Sequence, residues 1–139
     1  MCLASLADFS PCRKGYQVKT KRDGNYYSVY FGIDISQKRD ECIDADEVSP
    51  LSNYILTVDS ETLGYRRYIS GFHVFHRKVD AVKYLSADKW LDSRKCCVVK
   101  VAVRQPLVTG YQRFEIDKGH PSSAKVTVAK KIKILEEVK

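Results

Sequence analysis

His76, Arg77 and Lys78 follow directly on the aromatic run Phe72-His73-Val74-Phe75, which puts three basic-capable side chains where a short strand runs into a helix. The first N–H groups of a helix lack intrahelical partners and favour an anion, and Arg and Lys hold phosphate through charge-assisted hydrogen bonds. Elsewhere Arg13, Lys14, Arg66 and Arg67 lie beside Tyr16, Tyr65 and Tyr68. In that mixture cations hold phosphate while aromatic faces stack on bases. The candidate ligand-binding set is therefore Arg13, Lys14, Tyr16, Arg66, Arg67, His73, His76, Arg77 and Lys78. Its alternative is a set of core aromatics with solvated charges at their rims.

Other chemistry finds less support. His73, His76, Cys96 and Cys97 are zinc-type ligands, but along an extended strand residues three apart, like neighbours, point to opposite faces, so neither pair presents two ligands together. The expected roles are a partly buried His73 bonded to backbone and a small apolar Cys97 in the core. Cys2, if the initiator Met is removed, would offer an α-amine and a thiol, yet no supporting base is identifiable from spacing. Asp34, Asp40, Glu41, Asp44, Asp46 and Glu47 lack the glycine and terminal glutamate of a calcium loop. A glycine-rich phosphate loop, a nucleophile elbow and a paired-histidine zinc motif are all missing. No metal and no cofactor are expected, and catalysis is left open.

The chain has 139 residues, a net charge of +7 and 44% hydrophobic residues, including nine Tyr and five Phe. That length predicts a single domain over 1–139, and the apolar content excludes a disordered chain. The positive charge favours a polyanionic partner, a nucleotide or nucleic acid, with an acidic protein surface as the other option. Five cysteines at irregular spacing, two of them adjacent, argue against a disulfide scaffold and for a reducing, cytoplasmic setting. The N-terminal segment lacks the pattern of a signal peptide and no stretch is long enough to span a bilayer, so no membrane association is expected. Oligomeric state is not legible.

These residues need elements to position them. Asp23-Gly24 between Tyr16–Lys21 and Tyr26–Phe31 predicts a hairpin over 16–31. Residues 33–50 read as an exposed acidic loop ending at Pro50. Tyr54–Val58 reads as a strand, Tyr65–Ile69 as a turn or irregular crossing, and Phe72–Phe75 as the next strand. From Arg77, the positions Val79, Val82 and Leu85, with Ala81 and Tyr84 alongside, make one side of a short helix. Trp90 and Leu91 would pack over it. Cys96–Arg104 alternates with Cys97, Val99, Val101 and Val103 on one face, and Pro106 should stop that strand. Val108–Ile116 would return as another, followed by a turn over Lys118–Ser123 and a last strand over Ala124–Leu135. The fold class predicted is α+β, mainly antiparallel sheet with one or two short helices.

Gly71-Phe72-His73, Asp80-Ala81-Val82-Lys83-Tyr84, Val98–Val103 and Ala129–Leu135 together resemble a group of small, mostly uncharacterised phage and bacterial proteins, with G-F-H before a D-A-x-x-Y helix and a basic-aliphatic final strand. The resemblance covers about the last half of the chain and implies a viral or mobile-element origin. The same order resembles part of an ADP-ribosyltransferase-like domain. Those enzymes use a Q/E-x-E acid beside the ribose of NAD; this chain offers Gln112-Arg113-Phe114-Glu115, a different spacing, with Glu115 as the acid the resemblance implies. The leading expectation is a binding protein for a phosphate-bearing ligand, with sequestration of a host molecule by a viral protein as its extension. An NAD-using transferase and an inhibitor of an acidic host protein are the rivals.

Overall fold

A computed structural model of the chain describes residues 3–28, 37–45, 55–60, 64–69, 71–87, 95–117 and 120–138. Its strands are β1 (Ser5–Leu6), β2 (Lys14–Arg22), β3 (Asn25–Ser28), β4 (Cys42–Asp44), β5 (Ile55–Ser60), β6 (Gly64–Ile69), β7 (Phe72–Phe75), β8 (Cys96–Asp117) and β9 (His120–Val138). The helix α1 spans Lys78–Ala87. The fold is sheet-rich, and the strand pairings are antiparallel.

Two very long strands organise everything else. β8 and β9 form one hairpin, paired from Val98↔Val138 to Asp117↔His120, and their β-branched content suits a pleated surface buried on both sides. β2 lies along the first part of β8, from Lys14↔Ala102 to Thr20↔Cys96. β7 lies along β9 through Phe72↔Ala129 to Phe75↔Val126, and Tyr16↔Phe75 joins β7 back to β2. The circuit β2–β8–β9–β7 is thus closed, which removes the exposed edges an open sheet would carry. Gly15 permits the join, because a Cβ there would collide with the Val74 side chain and the Phe75 carbonyl.

A second circuit closes above the first. β2 turns into β3 through Asp23 (φ 52°) and Gly24 (φ 78°), the left-handed pair of a tight hairpin turn. Tyr26 and Gln37 exchange both backbone hydrogen bonds, at 2.8 and 2.7 Å, and residues onward from Asp40 follow β9 through Asp40 N–H to Ile134 C=O and the β4 pairing. Directly paired residues share a face, so Gln17, Lys19, Tyr26, Gln37, Cys97, Val99, Val101, Val103, Ile132 and Ile134 look inward. The aliphatic members of this group form one core with Tyr26, Val74 and Ala129. The other core, Leu3, Val18, Phe75, Ala81, Val98, Ala124, Val126 and Val128, fills the space between sheet and helix.

Several expectations need correcting. The region read as an acidic loop contains β4, with Ile43 and Ala45 buried; Asp40 lies in the turn before the strand, while Asp44 lies within it, 3.6 Å from Lys131 Nζ. Residues 33–36 and 46–50 lie outside the described part, as do Trp90, Leu91 and residues 29–31 of the first hairpin. Tyr65–Ile69 is not a turn but most of β6, paired with β5, because its tyrosines and isoleucine favour extended backbone. Pro106 does not end β8. It sits at a register shift, behind Gln105 in a left-handed conformation (φ 47°), between the stretch of β8 that pairs β2 and the stretch that pairs β1. A bulge is where a residue without an N–H is tolerated in a sheet. Val108–Ile116 therefore continues β8, and β9 already begins at His120 within the segment read as a turn. Finally, α1 buries Ala81 and packs Tyr84 and Leu85 inward, while Val79 and Val82 are exposed. The inward stripe is the i, i+3, i+4 set of Ala81, Tyr84 and Leu85, with Tyr84 edge-on to Phe114 at 5.9 Å.

Candidate functional site

The Tyr16↔Phe75 pairing is what assembles the site. β2 enters at Lys14 as β7 leaves at Phe75, so this pairing brings the start of β2, with Arg13 and Lys14, to the end of β7 from which His76, Arg77 and Lys78 continue. β9 adds a cation that the sequence had not flagged. His76 N–H donates to the Lys125 carbonyl at 3.1 Å, and the Lys125 charge, after burial itself, pushes the His76 imidazole below its ordinary pKa. A neutral His76 suits its contact with Thr127, whose Oγ1 is 2.6 Å from Nε2. Thr127 Oγ1 also accepts from Cys12 N–H at 3.3 Å and lies 3.7 Å from Cys12 Sγ. Burial raises the Cys12 pKa, with the Thr127 hydrogen bond opposing that rise. The Cys12 thiol is therefore a protonated packing group beside the cations.

Arg13 and Arg77 are exposed, and the Arg13 carbonyl is tied to Val103 N–H, which anchors its backbone while the side chain reaches out. Arg77 Nε lies 3.6 Å from Asp80 Oδ2. The Arg77 carbonyl also accepts from Asp80 and Ala81 N–H, so Asp80 occupies the first turn of α1, where a carboxylate is favoured by the helix dipole. That acid weakens the helix-terminus argument for an anion and leaves the attraction to the side-chain cations.

The remaining sequence-derived residues disperse. Tyr16 packs against the core under α1. His73 is buried on the helix side, its Nδ1 3.4 Å from Gln112 Oε1, and burial first of all holds its pKa down at about 4. The structure thus makes it a neutral core histidine with a side-chain partner, where backbone was expected. Arg66 and Arg67 lie on β6, opposite Val58 and Thr57 in a separate two-stranded sheet, and their side chains fall outside the described part. His73 and His76 do not converge with Cys96 or Cys97 on a metal: among the described residues no group of three ligating side chains is found.

Sequence reading missed a second set of polar groups, which faces the inner core. Gln17 and Lys19 sit where the alternation of β2 would place apolar side chains, and they are only 5% and 3% exposed. Burial drives the Lys19 pKa down to about 7, and its Nζ lies 5.8 Å above the Phe72 ring. Polar residues at inward parity were the available signal, but inward parity is visible only once the partner strands are known.

Lys19 gives this set a measurable consequence. Its folded pKa lies below the ordinary 10.5, so between pH 7 and 9 the unfolded chain holds a proton that the folded chain has released. Stability must then rise with pH over that window, by about 2 kcal/mol for Lys19 alone. Cys97, pushed up to about 11, stays protonated there in the folded state and opposes the trend only as pH approaches 9 and above. Denaturant unfolding at pH 7, 8 and 9 should show the rise in the wild type and a flatter profile in Lys19→Met; parallel profiles would contradict the burial of this amine.

Comparison with protein-family models, with curated proteins and with solved structures finds no significant match for this chain.

Proposed function

We propose that this α+β chain is a small basic binding protein for a phosphate-bearing ligand: a nucleotide, a nucleotide signal or nucleic acid. The observation that carries the reading is the Tyr16↔Phe75 pairing, which brings the start of β2, after Arg13 and Lys14, to the end of β7 before His76, Arg77 and Lys78, with Lys125 beside His76. Exposed cations on a rigid sheet end can hold phosphate oxygens without reorganising the fold. The net charge of +7 adds a long-range attraction for the same class of ligand. The thiols of Cys12, Cys42, Cys96 and Cys97 fit a reducing, cytoplasmic setting, and among the described residues no helix is long and apolar enough to cross a membrane. Sequestration of a host molecule by a viral protein is the role in which such binding without turnover would serve.

The NAD-transferase reading has less support. Gln112 is buried and engaged with His73, so it is not available beside Glu115 as part of a substrate-facing pair. Glu115→Gln separates the two readings. A binding protein keeps its affinity for an anionic ligand, or gains slightly from the lost negative charge. A transferase loses nicotinamide release while keeping NAD binding, because its carboxylate acts on charge developing in the transition state. Reproducible wild-type turnover that disappears in the variant would overturn the binding reading.

A further inference from the structure

On the outer face of the sheet Tyr16, Val18 and Val98 pack under α1, and beyond them the same face collects cations from strands distant in sequence. Directly paired residues share a face, so Lys14, Ala102, Lys133 and Cys42 form one row across β2, β8, β9 and β4. Arg104, Lys131 and Asp44 form the next row, two residues along β8, and Lys100 lies on the other side of the first, opposite Tyr16 and Glu136. Neighbouring strands are about 4.8 Å apart and residues two apart along a strand about 7 Å, which sets Lys14 and Lys133 about 10 Å from each other across Ala102. Lys14 and Arg104 are exposed, while Lys100, Lys131 and Lys133 are half-buried. Two carboxylates share the face: Asp44 Oδ2 is 3.6 Å from Lys131 Nζ, and Glu136 is exposed across from Lys100. The balance stays positive, because among the described residues Lys14, Arg104 and Lys133 make no salt bridge. Ala102 and Cys42 are small, so a chain can lie close to the sheet between the cations.

We propose that this cationic face docks the backbone of a single-stranded nucleic acid, so that the ligand of the phosphate site is a strand and not a mononucleotide. The inference rests on the phosphate-binding reading above. Lys14 belongs to both surfaces, because it opens β2 next to the Tyr16↔Phe75 pairing and also lies in the first row of the face. A single phosphate held at the junction would leave Arg104 and Lys133 without a counter-charge. Successive phosphates of a chain neutralise such cations in turn, and each contact releases counterions from the strand. The choice of a single strand over a duplex follows from shape. The outside of a closed, twisted circuit of strands is convex. A duplex is stiff over about 150 bp and meets a convex surface along a short line, whereas a single strand bends to follow the cations. Tyr16, the aromatic of this face among the described residues, is packed under α1 and offers no stacking platform. The contacts are therefore to phosphates and carry no sequence preference.

Fluorescence anisotropy of the full chain with phosphorylated thymidine dinucleotide, tetranucleotide and dodecanucleotide, each over a range of salt concentrations, tests the assignment. Affinity should rise by about tenfold or more from the shortest to the longest, and the slope of log K against log salt should steepen by about 0.7 for each further phosphate in contact. Arg104→Gln/Lys133→Gln keeps the side-chain stems and should flatten the slope for the dodecanucleotide by about 1.4, two phosphates' worth. Equal affinity and slope at every length would overturn the face and leave the phosphate site standing. So would wild-type binding of the dodecanucleotide by a double variant with an unchanged melting temperature. Length dependence in the wild type that survives intact in Arg77→Ala/Lys78→Ala would support the face and refute the junction. A duplex of equal length that competes better than the single strand would overturn the choice of a strand, and polyglutamate competing equally well would overturn nucleic acid in favour of an acidic protein. Binding at none of the lengths would refute both readings.

Discussion

Val101→Asp should unfold the protein or leave it barely stable. Val101 is 0% exposed on the inner face, paired with Gly15 on one side and Ile134 on the other, and it sits at a register shift in β8. An aspartate there would join the aliphatic cluster of Val99, Val103, Ile132 and Ile134, and the buried cation of this face, Lys19, pairs with Cys97, four positions along β8 from Val101. Burying an unpaired carboxylate costs several kcal/mol, comparable with the whole stability of a small domain. Because β8 and β9 belong to both closed circuits, the damage cannot be confined to one edge. A thermal melt and far-ultraviolet circular dichroism read the outcome; a near-normal melting temperature would show that this face is not the interior.

The second large effect is on binding. Replacing both Arg77 and Lys78 with Ala should weaken a phosphate-bearing ligand by roughly 2–4 kcal/mol, because charge-assisted hydrogen bonds contribute about 1.5–3 kcal/mol each and are not fully additive. The Asp80 carboxylate, now 3.6 Å from Arg77, would remain and turn its charge on the ligand, which pushes the loss toward the upper figure. Arg77 is exposed and Lys78 opens the helix, so the variant should still fold. Unchanged affinity in a folded double variant would remove the junction from the site.

How far the sequence could be read depended on whether the signal was local. Asp23-Gly24, the Phe72–Phe75 run and the alternation from Cys97 to Val103 each specify their own geometry, and each forms the element expected. Val126, Val128, Ile132 and Ile134 are all fully buried, but Val126 and Val128 belong to the helix-side core and Ile132 and Ile134 to the inner one, so their common parity along the strand does not put them on one face. What failed was set by partners distant in sequence. Pro106 is tolerated because a bulge and the exchange of one neighbouring strand for another coincide there, and neither leaves a mark near residue 106. α1 has apolar residues on two sides, and only the position of β8 decides that Ala81, Tyr84 and Leu85 face inward while Val79 and Val82 do not. The candidate site divides in the same way. Residue type pointed to Arg13, Lys14, His76, Arg77 and Lys78, but their meeting depends on Tyr16↔Phe75, and Lys125 joins them through β9. His73 looked equivalent to His76, yet strand alternation puts it behind the sheet, against Gln112.

Native mass spectrometry of the purified chain, before and after exposure to a pool of cellular nucleotides, tests the phosphate-binding account most directly. The account predicts an intact phosphate-bearing nucleotide bound to the wild type and lost from the Arg77→Ala/Lys78→Ala variant. A chain that takes up no nucleotide, or that releases nicotinamide from NAD in place of holding a ligand intact, would contradict it.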